Sequence, residues 1–383
     1  MKNLIILIFI LLIQLIYPYF SKKFIEAILS SEEYKYKNIA ISPIAVYKTL
    51  AHLANGSKGK TLSEILSILE IDDLIKIDEK ILHIYNEFLK FRGFKCINSL
   101  YSKYSINKNF LGISRNYGII DKIQSIEEIN KLISEKTKNQ ITDLINNNNI
   151  QLSNVSLIAL NAVSLKIELL YKFNKINNQL IKYLDSNEHL KIVQVMRDQR
   201  YYDYLENDLF RLIKIEFMEN LNGYFILPKN NDISFIDCYN SLFKNQKDIE
   251  DLNFKLRLKK LNLKIPKFKI DFEIKLKSIL ESMGLNKIFN EKSAELDNIS
   301  SGFNMNLNDI LHRVVIEFDE NGLNNEQLDY YQKNKKNQNS IIDEKCDYEE
   351  IIFNRPFLYV VTYSDLFDNQ DILVIGKIEN VEL

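Results

Sequence analysis

The chain has 383 residues, of which 46% are hydrophobic and 26% are charged. Its 50 Lys and Arg residues nearly balance 51 Asp and Glu residues, so the formal net charge of -1 gives no indication of nucleic-acid binding. The three cysteines, Cys96, Cys238 and Cys346, are far apart and odd in number. That count excludes a disulfide framework and a cysteine-based metal motif.

Residues 1–20 have the pattern of a secretory leader. Lys2 supplies a positive start, and residues 4–16 are apolar apart from Gln14. An apolar core of this length is short for a membrane span and suits a signal peptide, with an uncleaved anchor as the alternative. We therefore predict a signal peptide over 1–20, a domain over 21–383, secretion to the extracellular space and no stable membrane association after cleavage.

The first half of the chain has helical patterns. Ser42 and Pro43 are a helix-start signature before residues 44–53, where apolar residues recur at helical spacing. Thr61 and Glu64 have the spacing of a capping box, which predicts a second helix. Residues 129–145 predict a third, amphipathic helix.

The second half is richer in strands. Residues 210–217 alternate apolar and polar side chains, and Asn222 with Gly223 predicts the turn of a hairpin. Residues 256–265 alternate apolar with basic side chains, and residues 274–285 predict a helix. Because no linker separates the halves, we predict one α+β domain.

A long polar segment separates two strands near the C-terminus. Residues 310–318 and 353–361 read as strands, and the segment 323–352 between them contains no Gly and no Pro. Loops of this length are usually functional or disordered. The segment carries Lys333, Lys335 and Lys336, so a protease with trypsin-like specificity could cut it.

Nine short segments along the chain resemble motifs of the serpin family, in family order. They are residues 38–43, 55–61, 130–141, 160–162, 263–268, 283–285, 315–322, 353–357 and 376–378. The resemblance covers roughly residues 24–380. It implies a single α+β serpin domain with three β-sheets, about nine helices and an exposed reactive centre loop, here residues 323–352.

The resemblance also implies a mechanism. In inhibitory members a protease cleaves the loop and is held as an acyl-enzyme while the loop inserts as a new strand in the central sheet. Ser42, Asn161 and His312 match the family's shutter cluster, which keeps that sheet closed. Their hydroxyl, amide and imidazole groups could satisfy one another, as buried polar groups require.

The predicted hinge departs from the family pattern. It comprises Glu320, Gly322, Leu323, Asn325 and Gln327, where inhibitory members have small residues after the glycine. Strand alternation would direct every second side chain into the core on insertion. Burying an unpaired amide costs about 2–7 kcal/mol, so insertion would be slow and the protein could behave as a substrate.

Two further features bear on protease recognition. The position of the family's breach tryptophan is Leu169, and the chain has no Trp. Counting forward from Gly322 places the scissile bond at Lys336 and Asn337, whereas counting back from residue 353 places it at Lys345 and Cys346. Both counts place Lys before the cut, which favours a trypsin-like serine protease. The alternative is a polar loop that proteases merely nick.

Other chemistry finds little support in the sequence. The sequence contains no G-x-S-x-G nucleophile motif, no glycine-rich phosphate-binding loop and no H-E-x-x-H zinc-protease motif. Its four histidines are not spaced as metal ligands. We therefore predict no enzyme activity, no cofactor and no metal. The basic alternation over 255–269 could bind a polyanion, although a strand with one wet face is simpler. Asn55, Asn154 and Asn298 head N-x-S/T sequons. A monomer is expected.

Three functions are compatible with these patterns. The first is a secreted suicide inhibitor of a trypsin-like serine protease. The second is a non-inhibitory carrier, chaperone or receptor-binding protein on the same fold, which the polar hinge favours. The third is a reversible blocker whose long loop occupies an active site without trapping the enzyme.

Overall fold

The computed structural model describes residues 17–75, 91–243, 248–322, 347–364 and 370–381. These ranges contain eight α-helices and fourteen β-strands. The helices are α1 Tyr17–Leu29, α2 Pro43–Gly56, α3 Gly59–Leu69, α4 Lys108–Ser114, α5 Ile126–Lys136, α6 Phe235–Leu242, α7 Asp248–Lys255 and α8 Lys277–Ser282. The strands are β1 Ile39–Ile41, β2 Phe94–Ser102, β3 Ile119–Lys122, β4 Leu157–Lys166, β5 Gln179–Leu184, β6 Leu190–Glu206, β7 Phe210–Glu216, β8 Leu221–Pro228, β9 Arg257–Pro266, β10 Phe268–Lys275, β11 Leu307–Phe318, β12 Glu349–Ile352, β13 Phe357–Ser364 and β14 Gln370–Ile378.

The chain forms two compact units. The first comprises residues 1–31, 41–165 and 271–315, and the second comprises residues 32–40, 166–270 and 316–383. Each unit is assembled from three stretches that are distant in sequence. The α+β class predicted from the sequence is confirmed by this mixture of helices and strands.

The first unit is built on a five-stranded sheet in the order β10-β11-β4-β2-β3. One face carries Ile158 and Leu160 of β4 and Leu311 of β11, which pack in one apolar cluster with Ile129 and Ile133 of α5. The residues that follow α5 complete the cluster, so α5 and the connector to β4, residues 137–156, cover this face. On β4 and β11 the intervening side chains include Asn161 and His312, which bond to the α2 region.

Helix α2 is a core helix with almost every residue buried. Ser42 precedes it in an extended conformation and Pro43 occupies the first turn, as the sequence predicts. Proline is favoured there because its missing N–H would have had no helical partner. The helix therefore presents side chains to the interior on all sides.

The second unit contains a nine-stranded sheet in the order β1-β14-β13-β8-β7-β6-β9-β12, with β5 paired to β6. Strand β6 is 17 residues long and pairs with β5 at its start and with β7 at its end. Strand β9 accompanies it over ten residue pairs. The described strands therefore form two sheets, whereas the resemblance implied three.

The predicted hairpin is present, but its turn lies earlier than the sequence suggested. Glu219 and Asn220 have φ values of 62° and 59°, as a two-residue type I′ turn requires. Asn222 and Gly223 lie inside β8, opposite Glu216 and Ile215. The Asn-Gly pair was a plausible local signal, but pairing with β7 includes both of its residues and sets the turn three residues earlier.

The predicted capping box at Thr61 and Glu64 is wrong, because α3 begins at Gly59 and both residues lie inside the helix. The carboxylate of Glu295 caps α3 instead, accepting from Lys60 N at 2.7 Å and Thr61 N at 3.3 Å. Glu64 accepts from the backbone N–H of Lys287 at 2.7 Å. Glu295 thus caps α3, and Glu64 of α3 in turn binds the backbone at Lys287, each more than 200 residues away in sequence.

Two predicted helices are shorter than the sequence suggested. Helix α5 starts with a true capping box formed by Ser125 and Glu128, but it ends at Lys136 because Lys138 and Asn139 adopt positive φ. The predicted helix over 274–285 is strand β10 up to Lys275, followed by the six-residue α8. Alternating burial along β10 shows why the strand extends so far.

Helix α1 starts within the segment predicted as a leader. It spans Tyr17–Leu29, and Phe20, Ser21 and Phe24 are buried. The rest of the predicted leader lies outside the described residues, and its boundary stays a prediction. Among the helices that the structure describes, none is both long and apolar enough to cross a bilayer.

Candidate functional site

The predicted hinge begins where β11 leaves the sheet. Residues 317–322, which we call the hinge segment, lie beside residues 167–169 in the second unit. Ile167 N donates to Glu317 O at 3.2 Å, and Leu169 N donates to Asn321 O at 3.0 Å. Leu169 and Gly322 then form a parallel bridge. The segment that precedes the predicted loop is therefore held by backbone hydrogen bonds.

Gly322 is required by close approach. A Cβ atom at this position would lie 2.4 Å from the carbonyl oxygen of Leu169 and 2.9 Å from its Cβ. The obstacle at 2.4 Å is backbone, which a side-chain movement cannot clear. Leu169 itself is fully buried, at the position where the family resemblance places a tryptophan. The hinge contact is therefore a tight pairing of a glycine with a leucine.

The hinge segment contains a bulge that buries a carboxylate. Between the two backbone hydrogen bonds the chain advances by two residues from 167 to 169, but by four residues from 317 to 321. The two extra residues lie within 318–320 and form the bulge. The side chain of Glu320 is only 6% exposed, and its Oε1 lies 3.8 Å from Lys175 Nζ and from Lys267 Nζ. Among the described residues, Glu320 Oε2 has no hydrogen-bond partner. A buried carboxylate oxygen without a hydrogen-bond partner raises the free energy of this conformation of the hinge segment.

Phe318 anchors the base of the hinge segment in an aromatic cluster. Its ring centroid lies 4.9 Å from that of Phe225, 5.3 Å from that of Phe268 and 6.2 Å from that of Phe217. All four side chains are buried or nearly so. The hinge segment is thus firmly attached at Phe318, whereas Glu320, two residues later, is only loosely compensated.

The predicted shutter residues form two separate hydrogen-bond groups in the first unit. The backbone N–H of Ser42 donates to His312 Nε2 at 3.0 Å. An accepting Nε2 places the proton of a neutral ring on Nδ1. Neither His312 Nδ1 nor Ser42 Oγ has a hydrogen-bond partner within the described part of the chain. Burial lowers the pKa of His312 to about 3, so the ring is neutral at physiological pH.

Asn161 bonds to α2 and not to His312. Its Nδ2 donates to Ala45 O at 2.8 Å and to Thr49 Oγ1 at 2.9 Å, and its Oδ1 accepts from Thr49 Oγ1 at 3.2 Å. The expectation that the three shutter side chains satisfy one another is therefore wrong. Asn98 faces Asn161 across β2 and β4, and its Nδ2 donates to Ala45 O and Thr49 Oγ1, each at 2.7 Å.

Sequence reasoning missed Asn98 and Thr49 as members of this cluster. Thr49 lies inside a helix pattern, where a threonine carries no distinctive signal. Asn98 lies in a strand that the sequence analysis did not describe. The pairing of Asn98 with Asn161 in register is the signal that identifies it, and it becomes visible only once β2 and β4 are aligned.

Much of the remaining predicted site lies outside the described residues. This applies to the hinge residues Leu323, Asn325 and Gln327 and to the scissile candidates Lys336, Asn337, Lys345 and Cys346. Within the predicted loop, residues 349–352 form strand β12, which pairs in parallel with β9. The part of the loop available to a protease is therefore shorter at its C-terminal end than the sequence suggested.

Two of the four basic residues of β9, Lys259 and Lys264, form ion pairs. Lys259 Nζ lies 2.6 Å from a carboxylate oxygen of Glu349, and Lys264 Nζ lies 2.7 Å from one of Glu350. Both glutamates belong to β12. These ion pairs neutralise charges that a polyanion would need, so they weaken that prediction for this strand and show how β12 is held at the edge of the sheet.

The cysteines of the described residues provide no active-site chemistry. Cys96 and Cys238 are both free thiols. Burial raises the pKa of Cys96 to about 11 and that of Cys238 to about 12, so both thiols are protonated at neutral pH and unreactive. No three His, Cys, Asp or Glu side chains converge on a metal site within the ranges that the structure covers.

The fold and this site together define the class of protein. Strands β4 and β11 are hydrogen-bonded neighbours, and the chain leaves β11 through a bonded hinge. The chain belongs to the serpin family, whose model, described as serpin (serine protease inhibitor), matches residues 19–381. Members of this family are mostly protease inhibitors, and some are non-inhibitory.

Curated relatives of the chain include proteins named as protease inhibitors. The leukocyte elastase inhibitor of Xenopus laevis is 26% identical over 305 residues, which are 74% of this chain and 80% of the relative. The plasma serine protease inhibitor of Homo sapiens is 25% identical over 365 residues, which are 89% of this chain and 84% of the relative. The similarity extends over most of each protein.

Solved serpin structures share the fold. Native protease nexin-1, solved with heparin, superposes with a TM-score of 0.83 at 17% identity and covers 96% of this chain and 99% of its own. Human thyroxine-binding globulin, solved with its ligand, gives a TM-score of 0.81 at 18% identity and covers 97% of this chain and 100% of its own. At these identities the likeness establishes the fold alone.

Proposed function

We propose that this chain is a secreted inhibitor of a trypsin-like serine endopeptidase and acts as a suicide substrate through the loop after Gly322. The observation that carries the proposal is the direct pairing of β4 with β11, between which a further strand could insert. Strands β4 and β11 pair directly, and the loop starts from a hinge segment that is bonded to residues 167–169. A cleaved loop could enter as a new strand where these neighbours part.

The composition of the hinge contact supports strand entry. Each backbone bond at residues 167–169 would be exchanged for a bond to the entering strand, so the exchange costs little hydrogen bonding. Within the ranges that the structure covers, Glu320 Oε2, His312 Nδ1 and Ser42 Oγ have no hydrogen-bond partner. Unpaired buried groups raise the free energy of the closed state, so they contribute to a driving force for rearrangement.

The proposed specificity rests on the loop sequence. Lys336 and Lys345 are the residues before the two candidate scissile bonds, and Lys suits a protease with an acidic specificity pocket. Secretion is proposed from the leader pattern of residues 1–20. A relative from human plasma supports it, whereas the leukocyte elastase inhibitor is a relative whose name gives no such support.

A non-inhibitory role is the second candidate, and a specific observation favours it. Asn325, Gln327 and Asp329 would each point inward if Leu323 does, and burying an unpaired amide costs about 2–7 kcal/mol. Thyroxine-binding globulin, whose solved structure holds its thyroid ligand, superposes on the chain with a TM-score of 0.81. Slow entry of the loop would release an active protease and a cleaved protein.

The decisive experiment is incubation with trypsin, followed by a denaturing gel and intact-mass analysis of the released peptide. We expect a covalent complex that survives boiling in detergent, with the cut located by the peptide mass. Lys336→Ala and Lys345→Ala are matched controls for each other. The complex should be lost in the variant that removes the scissile lysine and kept in the other.

Two other outcomes would overturn the proposal. Complete cleavage with full recovery of trypsin activity would identify a substrate and favour the non-inhibitory role. Inhibition that disappears on dilution, without any covalent adduct, would instead identify a reversible blocker.

A further inference from the structure

The three N-x-S/T sequons of the chain lie in very different environments. They start at Asn55, Asn154 and Asn298, and the middle residue of each is Gly56, Val155 or Ile299. All three belong to the first unit. The sequence alone does not rank them, because each satisfies the acceptor pattern equally. An attached glycan must leave the folded surface without breaking internal bonds, and this requirement separates them.

The side-chain amide of Asn55 is partly buried and makes two hydrogen bonds within the fold. It lies in the last turn of α2, and its Nδ2 donates to Ala51 O at 3.1 Å and to the hydroxyl of Tyr117 at 3.0 Å. Tyr117 is fully buried. A sugar on Nδ2 would replace one of the two amide hydrogens, so at least one of these bonds would be lost. It would also have to pass a buried aromatic ring.

Asn298 is held in a similar way. Its Nδ2 donates to Ser57 O at 3.3 Å, and Ser57 is only 1% exposed. The rest of the sequon, Ile299 and Ser300, is 0% and 1% exposed. The backbone oxygen of Asn298 also accepts from Asn107 Nδ2 at 3.1 Å. The side-chain amide of Asn298 is therefore hydrogen-bonded to the backbone of a buried residue, Ser57.

Asn154 differs on each of these points. It ends the short turn Leu152–Asn154 in the connector between α5 and β4, and it is exposed. Its Nδ2 donates only to the Oε1 of Gln151 at 3.2 Å, and Gln151 is itself an exposed side chain. Water can replace that partner at little cost. The amide can therefore carry a large substituent without breaking a buried bond.

The serine of this sequon is hydrogen-bonded within the folded protein, so a glycan at Asn154 would be added before the connector folds. In the folded protein Ser156 Oγ donates to Asn306 O at 2.6 Å. The hydroxyl is therefore occupied by β11 and its approach, whereas in the extending chain it is free for an enzyme that reads the sequon. Once the connector folds, Ser156 is held in place and Asn154 is left outside.

We propose that Asn154 is the N-glycosylation site of this protein and that Asn55 and Asn298 are unmodified. The donor is an oligosaccharide linked to a polyprenyl diphosphate in the secretory pathway. Asn154 Nδ2 forms a bond to C1 of the first sugar and loses one proton. The bond from C1 to the diphosphate oxygen breaks, and the lipid diphosphate leaves with that electron pair. The inference rests on the secretion part of the proposed function and is independent of protease trapping.

The experiment expresses the full chain in eukaryotic cells in two forms, one with its own residues 1–20 and one with the leader of an unrelated secreted protein. Cell-associated and secreted material are both digested with an amidase that removes N-glycans and converts the carrier Asn to Asp. Peptide mass spectrometry then reads all three sequons. We expect a glycan at Asn154 alone, and a gel shift that Asn154→Gln abolishes. Asn147→Gln, an exposed position of the same connector outside any sequon, should leave the shift unchanged.

The two forms separate the possible failures. Protein with the foreign leader that lacks a glycan at Asn154, or that carries one at Asn55 or Asn298, overturns the inference. A glycan at Asn154 with the foreign leader, but none with residues 1–20, supports the inference and counts against the proposed secretion.

Discussion

His312 is a buried histidine whose protonation is opposed by its surroundings. Its ring is completely buried, and one nitrogen accepts a hydrogen bond from Ser42 N. The pKa of His312 falls from 6.5 to about 3 because burial disfavours the charged form. Protonation would place an unpaired charge next to α2, so the closed cluster requires a neutral ring.

This residue makes stability depend on pH in a predictable direction. Between pH 6.5 and about 3 the unfolded chain binds a proton that the folded chain does not, so the free energy of unfolding decreases as the pH falls. Each such group contributes a slope of about 1.4 kcal/mol per pH unit. His312→Gln keeps an acceptor for Ser42 N and should reduce the slope by about that amount, measured by urea unfolding across this range.

The exposed His189 offers the control, since its side chain is 71% exposed. His189→Gln tests whether replacing a histidine with glutamine at an exposed position alters the free energy of unfolding by itself. An unchanged slope in His312→Gln would mean that His312 gains a proton without unfolding. His52, whose pKa burial also lowers to about 3, should retain its own contribution in both variants.

At the residue scale, the sequence identified positions better than partners. His312 was predicted to be buried, and the structure confirms it. Its partner, the backbone N–H of Ser42, could not be predicted, because it depends on which atoms meet after α2 and β11 pack. Gly322 similarly stood out as a hinge glycine, but the reason for it, the carbonyl of Leu169, lies more than 150 residues away.

Among the elements, the connector between α5 and β4 is held by one arginine of β11. Arg313 donates to both oxygens of Asp271 on β10, at 2.7 and 2.8 Å, and to the Oδ1 of Asp143 in the connector at 2.9 Å. The hydrogen bonds to Asp271 raise the pKa of Arg313. A planar guanidinium can serve both carboxylates at once, which lysine could not do with the same geometry.

We expect Arg313→Met to loosen the connector and lower the free energy of unfolding by about 1–2 kcal/mol. The figure is modest because the side chains of Asp143 and Asp271 are 66% and 44% exposed, so solvent screens both pairs. Urea unfolding measures the loss, and faster amide exchange around residues 143–145 would locate it. High salt should reduce the difference between variant and wild type.

Arg115→Met is the matched control, because Arg115 lies on the surface at the end of α4. This change should alter the free energy of unfolding by less than about 0.5 kcal/mol. Equal effects of the two substitutions would show that the connector does not depend on its arginine.

The elements themselves were partly predictable, for reasons of locality. Helix α2 and strand β9 follow from periodicity and Pro43 alone. The end of α5 was missed because apolar spacing continues to Ile145 while the backbone turns at Lys138 and Asn139. The cap of α3 was missed because the carboxylate that accepts its first N–H groups belongs to Glu295, in a distant segment. Local patterns thus gave the elements, and long-range contacts set their ends.

For the whole molecule, the proposed function predicts a change in stability on cleavage. Entry of the cut loop between β4 and β11 would convert the five-stranded sheet into one of six strands, with new backbone bonds on both sides. The trypsin-cut protein should therefore melt at a markedly higher temperature than the intact protein. Calorimetry before and after digestion measures the difference, with the variant lacking the scissile lysine as the uncut control.

The same measurement distinguishes the two candidate functions. An unchanged melting temperature after complete cleavage would show that the loop stays outside, which the polar residues Asn325 and Gln327 favour. A higher melting temperature without a covalent trypsin complex would show that entry occurs but is slower than hydrolysis of the acyl-enzyme.

The position of β13 has a consequence for what becomes of a cut chain. This strand lies between β14 and β8 in the nine-stranded sheet, pairs with both along most of its length, and is preceded by β12 on β9. After a cut within residues 323–346, the C-terminal fragment would therefore stay bound, because its strand β13 pairs on one side with β8 of the larger fragment. A cleaved molecule would be a two-chain protein whose shorter chain separates only on unfolding.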